Sequence, residues 1–174
     1  LIRGDRPGRP PDPLGASAQV SVVDIHGLPG QAQMFVVGAL LKAIFERKER
    51  DEYRGRVFVV LDELNKYAPR EGESPIKDIL LDIAERGRSL GVVLFGAEQF
   101  MSAVHERVAG NCSTIVVGRT GSSELSAPAY RFLDPAVKAN ITRLQKGELI
   151  ISHAIFRQPI KIVFPKPAYL QEGT

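Results

Sequence analysis

FVVLDELNKYAP, residues 58 to 69, extends an apolar run that begins at Val57 and passes straight from Leu61 into two adjacent carboxylates, Asp62 and Glu63. A run this short, rich in β-branched and aromatic residues, fits a strand buried on both faces better than a helix, which needs more length. A strand of this kind ending in paired acids has two readings. Either the carboxylates place a metal-bound water and an attacking water for nucleotide hydrolysis, or an ordinary strand simply reaches solvent. The rest of the chain decides between them.

Upstream, AQVSVVDIHG carries a short apolar core from Val20 to Ile25 followed by Gly27 and Pro29, which predicts another buried strand. Met34, Val37, Leu41 and Ile44 then recur at helical spacing, widened by Leu40 and Phe45, and the mixed charges of ERKERDEYRGR fit the solvated end of that helix. Downstream, Ser74 and Pro75 predict an N-cap and first helical position, Ile76, Ile79, Leu80 and Ile83 supply one apolar face, and Gly87 is placed to end the helix. GVVLFGAE predicts the next strand, residues 102 to 109 a short helix, and STIVVG a fourth strand. Asp134-Pro135 opens a helical turn, and ELIISHAIF with PIKIVF reads as a closing hairpin.

Strands alternating with helices imply an α/β fold with a mostly parallel sheet and helices on both faces. In such sheets the carboxyl ends of the strands form the ligand crevice. Asp24, Asp62 with Glu63, and Glu98 with Gln99 are all expected at that edge, with Arg119 after the fourth strand. Arg86 and Arg88, flanking Gly87, are expected to converge there as well. A cation at a helix C-terminus has an ordinary dipole explanation. Two around one glycine also suit a finger reaching a neighbouring subunit's γ-phosphate.

The 174 residues suffice for one domain with a sizeable core, and 44% hydrophobic with 25% charged residues lies in the globular range. No apolar run approaches the roughly 18 residues of a membrane span. The single cysteine, Cys112, excludes an internal disulfide, reads as a small packing residue, and suggests a reducing cytoplasm. A net charge of +3 permits an acidic partner such as nucleic acid without requiring one. Residues 1–17, rich in proline, glycine and arginine, read as a linker or extended arm, 18–165 as the folded part and 166–174 as a tail; the chain is expected to be a piece of something longer. His26, His105 and His153 are too far apart for a sequence-local metal motif, and TGSS at 120–123 reads as a Ser-rich helix N-cap.

The ordered combination of strand-Asp-Glu, capped helix, RGRSLG, strand, Gln, helix and R-x-G-x-x-E-L resembles the second half of the ATPase core in the HerA and FtsK superfamily of hexameric, ATP-driven DNA translocases. It is nearer to HerA. VSVVDIHGLPGQAQMFVVGALLKAIFERK and the terminal GELIISHAIFRQPIKIVFP are similar to the flanking stretches, so the resemblance covers roughly residues 18–165. It implies the C-terminal part of a RecA-like three-layer P-loop NTPase core, closed by a β-hairpin. It further implies ATP and Mg²⁺ as cofactors, double-stranded DNA as partner, assembly as a homo-hexamer, and a NurA-type nuclease or another effector.

Residue by residue, the resemblance makes Asp62 the Walker B aspartate, holding Mg²⁺ through water, and Glu63 the catalytic glutamate. Gln99 becomes the γ-phosphate sensor, Arg88 or Arg86 the finger supplied in trans, and Arg119 a further nucleotide contact. This sequence departs from the family at AEQF, where a Ser or Thr before the glutamine and Arg-Pro after it are usual, and at DELNKYAP, where Ala-His often follows the acids. No G-x-x-x-x-G-K-[S/T] occurs. Without it there are no clustered backbone N–H groups to cradle phosphates and no lysine for the β and γ oxygens. The segment alone is therefore expected to bind ATP poorly, with the P-loop upstream in the full protein. Two alternatives are a conjugation or type IV secretion ATPase and a non-enzymatic assembly module derived from an ATPase.

Overall fold

The computed structural model describes residues 14–15 and 20–165, which fall into two compact units. The arm expected over residues 1–17 and the tail over 166–174 lie outside the described residues, apart from Leu14 and Gly15.

The first unit runs to Gln99 and takes in residues 103–108. Helix α1 (Gly30–Glu49) buries Val37, Leu41, Ile44 and Phe45, the stripe expected from its spacing. Lys48, in its last turn, is buried too: its ammonium donates to the carbonyl of Gly55 at 2.6 Å and lies 5.5 Å from the Tyr53 ring. Strand β1 (Val57–Leu61) follows, then a single helical turn, α2 (Leu64–Tyr67), and helix α3 (Lys77–Leu90), which leads into strand β2 (Val92–Gly96). Helix α3 starts two residues later than the Ser-Pro signal suggests. The buried Ser74 hydroxyl instead accepts a hydrogen bond from the Ile76 N–H at 3.4 Å and caps the turn that leads in. The helix also runs past Gly87 to Leu90 and is ended by Gly91, whose φ of +71° is the left-handed conformation glycine adopts at low cost.

Strands β1 and β2 pair in parallel, with Val57 opposite Val92 and Leu61 opposite Gly96. Among the described residues their sheet has only these two strands. The segment 20–25 alternates in exposure as an extended chain does, yet forms no ladder, so the first expected strand is absent as a strand. One face of the pair packs on helices. The other leaves Phe58, Val60 and Phe95 exposed by 60%, 74% and 53%, which is far from the burial that their apolar composition predicts.

The second unit comprises residues 100–102 and 109 onward. Helix α4 (Glu106–Gly110) begins in the first unit and ends in the second. Strand β3 (Thr114–Val117) does not extend the parallel pair. It pairs antiparallel with β4 (Glu148–His153), which forms the expected hairpin with β5 (Ile160–Val163). Between them stand α5 (Ser122–Leu125) and α6 (Pro135–Ile141), the latter entered through Asp134-Pro135. Val117, Leu125, Tyr130, Leu133, Ile141, Leu144 and Ile150 form this unit's core. The fold is thus α/β, with a parallel sheet and an antiparallel hairpin sheet.

Candidate functional site

Because β1 and β2 are parallel neighbours in register, their carboxyl ends lie side by side, which brings Asp62-Glu63 and Glu98-Gln99 to one edge as expected. Asp62 and Glu63 are both exposed. Glu63 has φ +53° and ψ +53°, a left-handed conformation that costs a non-glycine residue on the order of 1 kcal/mol or more. The surroundings hold it there. The Glu63 N–H donates to Asp62 Oδ1 at 3.0 Å, the Leu64 N–H to the Ala97 carbonyl at 3.1 Å, the Asn65 N–H to Glu98 Oε2 at 2.7 Å, and the Lys66 N–H to the Glu63 carbonyl at 2.9 Å. The amide donors that open α2 are therefore all engaged, and this turn is not a phosphate cradle.

The exit of β2 completes the lacing. The Ala97 N–H donates to the Leu61 carbonyl at 2.9 Å, and the Gln99 N–H donates to Glu98 Oε1 at 2.7 Å. The Gln99 side chain remains exposed. On the other side of the acids, Lys66 Nζ donates to Gln33 Oε1 and lies 4.0 Å from Glu63 Oε2. Gln33 Nε2 in turn donates to the carbonyls of Ile25 and Leu28, so one amide ties α2 to the loop before α1. A cavity of about 850 Å³ runs beside β1, and Asp24, Gln33, Asp62, Glu63 and Lys66 line part of it. Asp24 lines the same cavity as the acid pair, although it stands on no strand, and its carboxylate accepts the His26 N–H at 3.0 Å. Tyr67, buried next to them, has its phenol pushed up, first by burial and then by the charges of Glu63 and Asp62. Glu98 is at the edge where its sequence position puts it, but its bond to Asn65 and the roles of Lys66 and Gln33 were not expected. Their contacts join residues 33 positions apart, which no local pattern encodes.

The arginine pair is elsewhere. Helix α3 ends where β2 begins, and the Val57 N–H donates to the Gly91 carbonyl, so Arg86 and Arg88 stand at the amino end of the strands. A five-residue strand separates them from the acids by roughly 16 Å. The expected convergence on the acid edge therefore fails, because a parallel strand puts the preceding helix terminus at its opposite end. Arg86 is also engaged within the chain, 2.7 Å from Glu49 and 5.4 Å from the Phe45 ring. Arg88 is exposed with no partner among the described residues. Arg119 is exposed after β3 in the second unit.

Other expectations resolve simply. Cys112 is exposed rather than packed. Helix α5 begins at Ser122 without a side-chain cap, and the Thr120 hydroxyl donates instead to the Gly118 carbonyl. His105 and His153 each accept a backbone N–H through Nδ1.

A parallel strand pair with acids at its carboxyl edge in one unit and an antiparallel hairpin sheet in the other make an α/β arrangement of the RecA-like kind. No protein-family model matches the chain. The chain is similar to the DNA double-strand break repair helicase HerA of Pyrococcus furiosus, 25% identical over 80% of this chain, and spans about a third (32%) of that protein. The genome packaging NTPase B204 of Sulfolobus turreted icosahedral virus 2, solved with AMP, shares the fold with a TM-score of 0.57 at 11% identity, over 80% of this chain and 65% of that one. The bacterial conjugative coupling protein TrwB shares it equally, with a TM-score of 0.57 at 16% identity, over 80% of this chain and 39% of that one. The resemblance to HerA- and FtsK-type ATPases read from the sequence is borne out.

Proposed function

We propose that this chain is the C-terminal part of the ATPase core of a HerA-type DNA translocase, working as a ring with ATP between subunits. The observation that carries the reading is the lacing of the β1 and β2 exits, which holds Asp62, Glu63 and Gln99 at one edge. The exposed carboxylates suit a hydrated Mg²⁺ and a reactive water, whereas the engaged amides of α2 and the lack of G-x-x-x-x-G-K-[S/T] do not suit phosphate binding. Two further facts support a core that continues beyond this segment: it spans a third of HerA, and its parallel sheet has an uncovered apolar face.

On this reading, bound Mg·ATP supplies the γ-phosphoryl group and the neutralisation of its charge. Asp62 would hold Mg²⁺ through a water, with Oδ1 already accepting the Glu63 N–H. Glu63 orients the attacking water and takes its proton, and its rigid left-handed turn lowers the reorganisation needed. Gln99 senses the γ-phosphate, and Arg119 is a further nucleotide contact. Arg88 is preferred over Arg86 as the finger because Arg86 already has partners within its own chain. Standing at the opposite edge from its own acid pair, Arg88 suits delivery to the next subunit. Double-stranded DNA would occupy the channel of a hexamer, and a NurA-type nuclease or another effector would dock on it. A conjugation ATPase is the second reading, favoured only by the TrwB-like fold.

In the full-length protein, Glu63→Gln is expected to keep ATP binding within about twofold while turnover falls by roughly 10²-fold or more. Turnover near the parent rate would remove Glu63 from the role. Absence of ATP binding in the parent itself would favour the non-enzymatic assembly module.

A further inference from the structure

We propose that Glu98 is a positioning residue that holds the sensor glutamine and the Glu63 turn in one register; this rests on the hydrolytic reading of that edge. Glu98 directly precedes that glutamine, two residues beyond the end of β2. Its carboxylate offers two oxygens, and here each is used: Oε1 accepts the Gln99 N–H and Oε2 the Asn65 N–H, both at 2.7 Å.

The lengths are those of charge-assisted hydrogen bonds, which are shorter and stronger than neutral ones. The two donors belong to different segments. Gln99 follows β2, and Asn65 lies in the first turn of α2, two residues after the left-handed Glu63. The side chain is half-buried, which limits competition from water. One carboxylate therefore joins the Gln99 backbone to the turn after Glu63, beyond the two bonds that Ala97 makes with Leu61 and Leu64. The parallel ladder alone fixes only the strands, whose last pair is Leu61 with Gly96. A misplacement of about 1 Å between catalytic groups can cost on the order of 10²-fold in rate.

The test uses the full-length protein with ATP turnover as readout. Glu98→Ala is expected to lower kcat by about 10- to 100-fold while KM for ATP stays within about twofold. Glu98→Gln, which keeps one acceptor, should fall between it and the parent. In a Gln99→Ala background, Glu98→Ala should add much less than its effect alone, because both changes act on one group. Fully additive losses, or an unchanged kcat, would overturn the proposal. Glu63→Gln separates this from the hydrolytic reading: if its turnover survives, that reading fails whatever Glu98 does. The bridge itself is tested without turnover, by the backbone amide proton resonances of Asn65 and Gln99 in the 174-residue chain. Both should move upfield together in Glu98→Ala, and two unmoved resonances would overturn it.

Discussion

At position 87 a hydrogen is the largest side chain the packing admits. A Cβ there would lie 2.8 Å from the Val92 carbonyl oxygen, a backbone atom that cannot turn aside. Gly87 thus lets α3 lie close on β2. Gly87→Ala is expected to destabilise the chain by about 1–3 kcal/mol, read as a lower urea midpoint. Gly30→Ala is the control, since its Cβ would meet nothing within 4 Å. It should be neutral or slightly stabilising, because alanine loses less backbone entropy in a helix. The two arginines divide on similar grounds. Arg86→Ala removes a partly exposed ion pair and a ring contact, worth up to about 1 kcal/mol after screening by solvent. Arg88→Ala should leave the urea midpoint unchanged.

Among the elements, the joint between residues 100–102 and α5 carries the clearest titration. Glu124 accepts the Ser102 N–H at 3.0 Å through one carboxylate oxygen and the Ser102 hydroxyl at 2.7 Å through the other. The buried Tyr130 phenol is pushed up to about 12, first by burial and then by the charge of Glu124 and a hydrogen bond to it. A raised folded-state value means that the neutral phenol is favoured on folding. Its stabilisation is whole below the unfolded value of about 10 and is lost as pH rises towards about 12. Denaturant midpoints should therefore fall across that window. Tyr130→Phe should give a shallower fall there, and an equally steep one would show that the phenol is not the titrating group.

For the whole molecule, the proposed function requires a site divided between this segment and the rest of the core. Calorimetry on the 174-residue chain is expected to show no ATP binding tighter than about 1 mM, whereas a full-length protein that carries the proposed P-loop should bind well below that. Tight binding by the segment would mean that phosphates are held without the motif. If Arg88 acts in trans, mixing Arg88→Ala with Glu63→Gln subunits should restore activity at hybrid interfaces that pair an intact Arg88 with an intact Glu63. Neither variant alone should recover, and no gain on mixing would remove Arg88 from the role.

Much of the architecture was legible in the chain itself. The stripe of α1, the two parallel strands, the Asp134-Pro135 helix start and the closing hairpin all follow from local periodicity and turn chemistry, which short-range sterics and burial enforce. The adjacency of Asp62 and Gln99 was legible too, because consecutive strands joined by one helix pair in parallel. Other features depended on which segments meet in space. The segment 20–25 has the composition of a strand but forms no ladder, and β3 pairs with β4 rather than with β2. The arginines fall at the far edge because strand direction, not residue type, decides which end a helix terminus serves. Glu98 gained a role only when Asn65, 33 residues away, came within hydrogen-bonding distance. Residue types and spacing thus determined the elements and their carboxyl-edge acids. The tertiary structure alone decided which donors those acids meet, because such contacts depend on chain direction and register that no local stretch contains.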